Sequence, residues 1–232
     1  MLFNNIINPG TKYMISVSIP RIALALFILL QIIGMIVYPG GTILDPSTIG
    51  YSFTKNFFSD MGTYVARNGE PNYLSMIIFS FSLSIVGITF FLYYSILPIL
   101  LSDDKNNFIL SLVGSFFAFF ASICMIGTGL TPTDIVFDLH VFFADNIFHC
   151  FLVTALFYTI VIFKSNRMDK KYAMGYGLFF ISIFIYVCIL QYGPPADENV
   201  SSLIFQVVSQ KLIVIIFCGS TLHQTFGFEK LQ

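Results

Sequence analysis

The chain has 232 residues, 56% of them hydrophobic and 10% charged, with a mean hydropathy of +0.85. This excludes an ordinary soluble domain and marks a membrane protein whose first partner is the lipid bilayer. A net charge of -1 without any basic block argues against nucleic acid as a partner. Cys124, Cys150, Cys188 and Cys218 all fall inside apolar runs, so they read as packing thiols; neither a zinc nor a redox motif is visible, no metal site is expected, and the sequence names no cofactor.

A spanning helix needs about 20 mostly apolar residues, and runs at 22–38, 73–101, 108–130, 139–163, 172–192 and 203–226 meet or approach that length. The fold class is therefore all-α: one domain over residues 1–232, an integral membrane bundle of six transmembrane helices with a structured outer loop at 39–72. Lys12 and Arg21 before the first run also suit a signal peptide, but no small-residue cleavage site follows, and Tyr38-Pro39-Gly40-Gly41 looks like a stop. The first run is expected to stay as a helix.

Basic residues set the topology. Lys12, Arg21, Lys105, Lys164, Arg167, Lys170, Lys171 and Lys230 would share one side, against Lys55 and Arg67 on the other. Both termini and the 164–171 connection should then face the cytoplasm, in a multi-pass protein of the plasma membrane. The opposite side carries Asp45, Asp60, Glu70, Asp134, Asp138, Asp197 and Glu198 and is acidic.

The 39–72 connection is the one long loop, and Tyr51, Phe53, Phe57, Phe58, Met61 and Tyr64 make it apolar enough to dock on the bundle. A short interfacial or re-entrant segment is predicted at 54–65; the alternative is a surface loop packed only for stability. Gly114, Ala118 and Ser122 in the third run, and Ser80, Ser84 and Gly87 in the second, form small-residue stripes suited to close helix packing.

The richest stretch in ionisable groups is 127–149, with Asp134, Asp138, His140, Asp145 and His149 in an otherwise apolar setting. Such groups inside a span need partners or water. At about 100° per residue Asp138, Asp145 and His149 share one helix face and His140 points nearly opposite. Counting about 1.5 Å per residue, Asp145 lies ~9 Å and Lys211 ~12 Å below the outer edge, so mutual neutralisation is the simplest expectation for both. A structural ion pair is favoured over the alternative, a proton relay. Nearer the surface, Ser59, Asp60, Asp134 and His140 resemble the parts of a hydrolase: a serine activated by a histidine base that an acid orients. Asp134 or Asp138 could instead simply cap the fourth helix.

Tyr38 to Thr42, Gly50 to Ser52, the NFFSDMG stretch at 56–62, the Thr131-Pro132-Thr133-Asp134 turn, His140, and Gln210 beside Lys211 together carry a family resemblance. The chain resembles the six-span prokaryotic family catalogued as domain of unknown function 998. That resemblance implies the six-span architecture and a loop after the first helix, and it assigns no activity. Some relatives have a second histidine where this chain has Ala144, and an arginine where it has Lys211.

Three function classes follow. A membrane enzyme acting on a lipid or lipid-linked substrate would use Ser59, Asp60, Asp134 and His140. A proton-coupled transporter would use Asp145, His149 and Lys211 as a relay, but the runs lack acids in their inner half. A non-catalytic assembly or scaffold protein would use the same charges only as internal glue. The gathering of unusual groups at one face favours the first.

Overall fold

The computed structural model describes residues 7–231, which form six long helices. They are α1 (Pro9–Val37), α2 (Tyr73–Leu100), α3 (Lys105–Leu130), α4 (Phe137–Lys164), α5 (Lys170–Tyr192) and α6 (Val200–Glu229). Each is long and apolar enough to cross a membrane, and the fold is the all-α six-span bundle expected from the sequence. Three of the helices begin where a side chain satisfies a free amide of the first turn. Asn8 accepts from Gly10 N at 2.8 Å, Asp104 from Asn107 N at 2.9 Å and Asn199 from Ser202 N at 2.9 Å.

α1 starts well before the apolar run at 22–38, taking Lys12 and Arg21 into the helix. Its turn Met14–Ser18 is π-helical and leads directly into Pro20, which has no N–H to give to the preceding turn and crowds its carbonyl. The widened turn absorbs that conflict, and the helix continues to Val37.

The helices form a ring in chain order. Each packs on its sequence neighbours, and α6 returns to α1 to close the circle. An even number of spans puts both ends of the chain on one face, which we call the terminal face. There Tyr13 OH donates to Glu229 Oε1 at 3.0 Å, and Arg21 Nη2 meets Glu229 Oε2 at 2.7 Å. The half of the ring near this face is filled by aromatic side chains: Tyr93, Tyr94, Tyr158, Tyr176 and Phe228 are all buried. Their hydroxyls stay in the protein; Ser115 Oγ donates to the Tyr94 carbonyl at 2.6 Å and lies 2.7 Å from Tyr158 OH, while Tyr94 OH lies 3.2 Å from Tyr176 OH. The small-residue stripes do what small residues do in a bilayer. A Cβ on Gly87 would come within 2.8 Å of the Ser122 carbonyl, and one on Gly114 within 2.9 Å of the Tyr158 ring.

At the opposite face, residues 39–72 fold back into the ring instead of lying on it. Gly41 (φ +83°) makes the reversal possible, since a Cβ there would sit 2.3 Å from Asn68 N. The loop is ordered by bridges between Gly40 and Ile49 and between Val65 and Pro71, and its centre is the 3-10 turn Phe58–Gly62. Met61 packs where a Cβ on Gly34 would come within 3.0 Å of its sulfur, and the Phe79 ring covers Gly62. Gly34 lies three residues before the end of α1 and Phe79 six residues into α2, so the turn is sunk ~5–9 Å below the helix ends. The segment 54–65, expected to be interfacial or re-entrant, holds a single short turn flanked by extended chain.

Candidate functional site

The sunken turn is held by charge. Asp60, 1% exposed, accepts from Phe57 N at 2.9 Å and Asn56 Nδ2 at 3.0 Å through Oδ2, and from Arg67 Nε at 3.0 Å through Oδ1. Asn56 Nδ2 also reaches the Gly41 carbonyl at 2.8 Å, tying the turn to the loop's entry. Burial pushes the Tyr38 hydroxyl up to about 12 and raises that of Tyr51 further, so both stay neutral beside Asp60. Both oxygens of Asp60 are therefore spent inside the loop. Asp60 is the keystone of the turn.

Lys211 is 2% exposed and reaches from α6 into the same loop. Its Nζ donates to the Asn56 carbonyl at 2.5 Å and lies 5.3, 5.1 and 5.0 Å from the ring centres of Tyr51, Phe53 and Phe58. Three aromatic faces around one ammonium offset part of its desolvation. The expected Lys211–Asp145 pair does not form: among the described residues the lysine has no carboxylate within ion-pair distance, and Asp60 acts on it only at longer range. The similar depths counted along the two helices did not bring the side chains into contact. Next to the lysine, Gln210 Oε1 accepts from Phe58 N at 3.0 Å. Gln210 and Lys211 thus hold the loop from α6 by two successive contacts.

Asp134 anchors the other side of the loop. Its two oxygens accept from Tyr64 N at 2.9 Å and Val65 N at 2.8 Å. It does not cap α4, and neither does Asp138, because the residue before the helix is Val136 and no side chain fills that role. Asp138 is exposed, whereas Asp145 and His149 are half-buried, with His149 Nδ1 2.8 Å from the Asp145 carbonyl. Asp145 lies near enough to His140 for the two to act on each other electrostatically.

His140, 4% exposed, faces the ring interior. Its Nδ1 lies 2.6 Å from the Thr131 carbonyl, which can only accept, so Nδ1 carries the proton and Nε2 is left with a lone pair. The arrangement Ser59–His140–Asp134 expected of a hydrolase is thus not assembled: a carbonyl, not an acid, orients the imidazole, and Asp134 is engaged with the loop. Ser59 and His140 do both line one cavity under the turn.

This cavity has a volume of about 120 Å³ and takes side chains from all six helices. Phe27, Phe148, Phe151, Phe179 and Phe217 give it an aromatic floor and walls, while Phe58 and Ser59 form part of its roof. The polar groups on its lining are Gln31, Ser59, Thr128, His140 and Gln210, and no Asp, Glu, Lys or Arg lines it. Gln31 and Thr128 were not candidates from sequence. The available signal was weak: Gln31 is an isolated amide in the apolar first run, and Thr128 precedes the 131–134 turn. Among the described residues no group of three or more His, Cys, Asp or Glu side chains could hold a metal ion. The chain matches no protein-family model, no curated protein and no solved structure.

Proposed function

We propose that this six-span protein handles a lipid: an apolar chain occupies the central cavity and its polar end meets Ser59, His140 and Gln210 beneath the re-entrant loop. The observation that carries this is the composition of the cavity, an aromatic chamber with a few polar groups set near the loop. A solute transporter would need a polar path across the ring, and the terminal half is instead closed by buried tyrosines and phenylalanines. The test fills the chamber. Ala144 lines it, and Ala144→Phe should leave the purified protein folded while lipid retained through purification, read by mass spectrometry, falls at least tenfold. Equal retention by the filled variant would refute the reading.

Chemistry on that lipid is a second reading, favoured by one detail. The Thr131 carbonyl fixes the tautomer in which Nε2 can take a proton, and Ser59 makes no side-chain hydrogen bond among the described residues. A serine with a base in the same cavity is the minimum for acyl transfer. Ser59→Ala and His140→Ala should then each abolish turnover with abundance unchanged, and a variant that still turns over would exclude it. The plasma membrane, with both termini cytoplasmic, is proposed from the basic residues; a reporter fused after Gln232 that reports from outside would overturn it. Membership of the six-span family named above is likewise proposed, on its loop, turn and Gln210-Lys211 motifs. A relative with the same motifs should replace this chain in a deletion strain, and its failure would count against kinship of function.

A further inference from the structure

Resting on the lipid reading, we propose that the ligand is an uncharged, hydroxyl-bearing lipid, an acylglycerol or a long-chain alcohol, and not a phospholipid or a fatty acid. The inference comes from which hydrogen-bonding groups the cavity leaves unused. Gln210 Oε1 is taken by a backbone N–H, which fixes the amide and leaves its NH₂ without a partner among the described residues. Gln31 is fixed the other way. Its Nε2 donates to Ser82 Oγ at 2.6 Å, and Ser82 itself donates to the Phe79 carbonyl at 2.8 Å, so the amide cannot be turned around. Gln31 is 4% exposed and its Oε1 has no partner among the described residues. A buried acceptor left open is costly unless something supplies a donor.

His140 Nε2 is a second acceptor by the tautomer argument, and Ser59 can act in either sense. Thr128 gives its proton to the Cys124 carbonyl at 2.8 Å and retains only lone pairs. The lining is therefore richer in acceptors than in donors, with one amide donor pair at Gln210. A hydroxyl suits this set because it can donate to an acceptor while accepting from Gln210. A phosphate or carboxylate does not suit it: it offers acceptors only, and its charge would enter a chamber with no lining cation. Lys211, the cation nearest in sequence to the lining, is already committed to the Asn56 carbonyl and three rings. A cationic headgroup is disfavoured by the same logic, because no lining carboxylate would meet it.

The experiment uses the full chain in nanodiscs and displaces a radiolabelled diacylglycerol with unlabelled diacylglycerol, a long-chain alcohol, phosphatidylglycerol or a fatty acid. One of the two hydroxyl lipids should compete at least tenfold better than phosphatidylglycerol and the fatty acid, and the better competitor identifies the source. Gln210→Glu keeps an acceptor for Phe58 N but removes the amide donor, and Gln31→Met removes the open acceptor while Ser82 keeps its bond to Phe79. Each should weaken displacement about tenfold, the upper end of what one hydrogen bond returns. Equal or better competition by phosphatidylglycerol or the fatty acid, or wild-type behaviour of both variants, overturns this inference and leaves the lipid reading standing. Failure of every probe to bind, with no lipid retained through purification, overturns both.

Discussion

Asp60→Ala is expected to lower the stability of the protein by about 3–5 kcal/mol, the range for removing one partner from a buried charged network. The Asp60 carboxylate accepts three hydrogen bonds inside the sunken turn, from Phe57 N, Asn56 Nδ2 and Arg67 Nε. Arg67 is 38% exposed in its side chain, so water can take over its guanidinium at small cost. The loss comes mainly from Phe57 N and the Asn56 amide, which water cannot reach as the turn stands. Asp60→Asn should be milder. It retains an acceptor for one donor, but its NH₂ would face either Arg67 or the Asn56 and Phe57 donors. Thermal unfolding of the purified variants in one detergent measures both, and abundance should fall together with any activity. An Asp60→Ala protein as stable as the parent, yet unable to retain lipid, would support a substrate-contacting Asp60.

The architecture was legible in the sequence because a bilayer allows few solutions: six apolar runs must be six helices, and their backbones must satisfy themselves. The loop's docking was legible for a related reason, since Tyr51, Phe53, Phe58 and Met61 could not be left in water without cost. What sequence could not supply was rotation and partnership. Asp145 and Lys211 share a depth, and depth follows from counting along each helix. Which way each side chain points around the ring follows from packing against neighbours, which no count along one chain segment contains.

The same limit explains the candidate site. Ser59 and His140 were chosen for their chemistry and line one cavity. Asp60 and Asp134 were chosen for theirs and are both spent on the loop, one inside it and one at its edge. In a segment with many amides outside helices or strands, a carboxylate is first of all an acceptor for backbone N–H groups. Gln31 and Thr128 went unweighed because one amide and one hydroxyl in apolar helices are ordinary until a cavity is seen beside them.

Lys211 should show opposite outcomes with two substitutions. Lys211→Met keeps the length of the stem among Tyr51, Phe53 and Phe58 and removes a cation that has no carboxylate within ion-pair distance. The Asn56 carbonyl does not become an orphan, because Tyr51 OH also donates to it at 2.9 Å. The lost ammonium contacts and the relieved desolvation then oppose each other, and the net change should stay within about 1 kcal/mol. Lys211→Glu places an anion against three aromatic faces and a carbonyl oxygen, with Asp60 as the neighbouring charge. None of these can stabilise it, so about 3–5 kcal/mol should be lost, or the loop should leave its seat to let water in. Proteolysis within residues 39–72 separates those outcomes, since a displaced loop is cut while the helices survive. Wild-type stability and protection in Lys211→Glu would mean that the lysine does not hold the loop. A loss of several kcal/mol in Lys211→Met would mean that its charge, and not its stem, is what seats the turn in the ring.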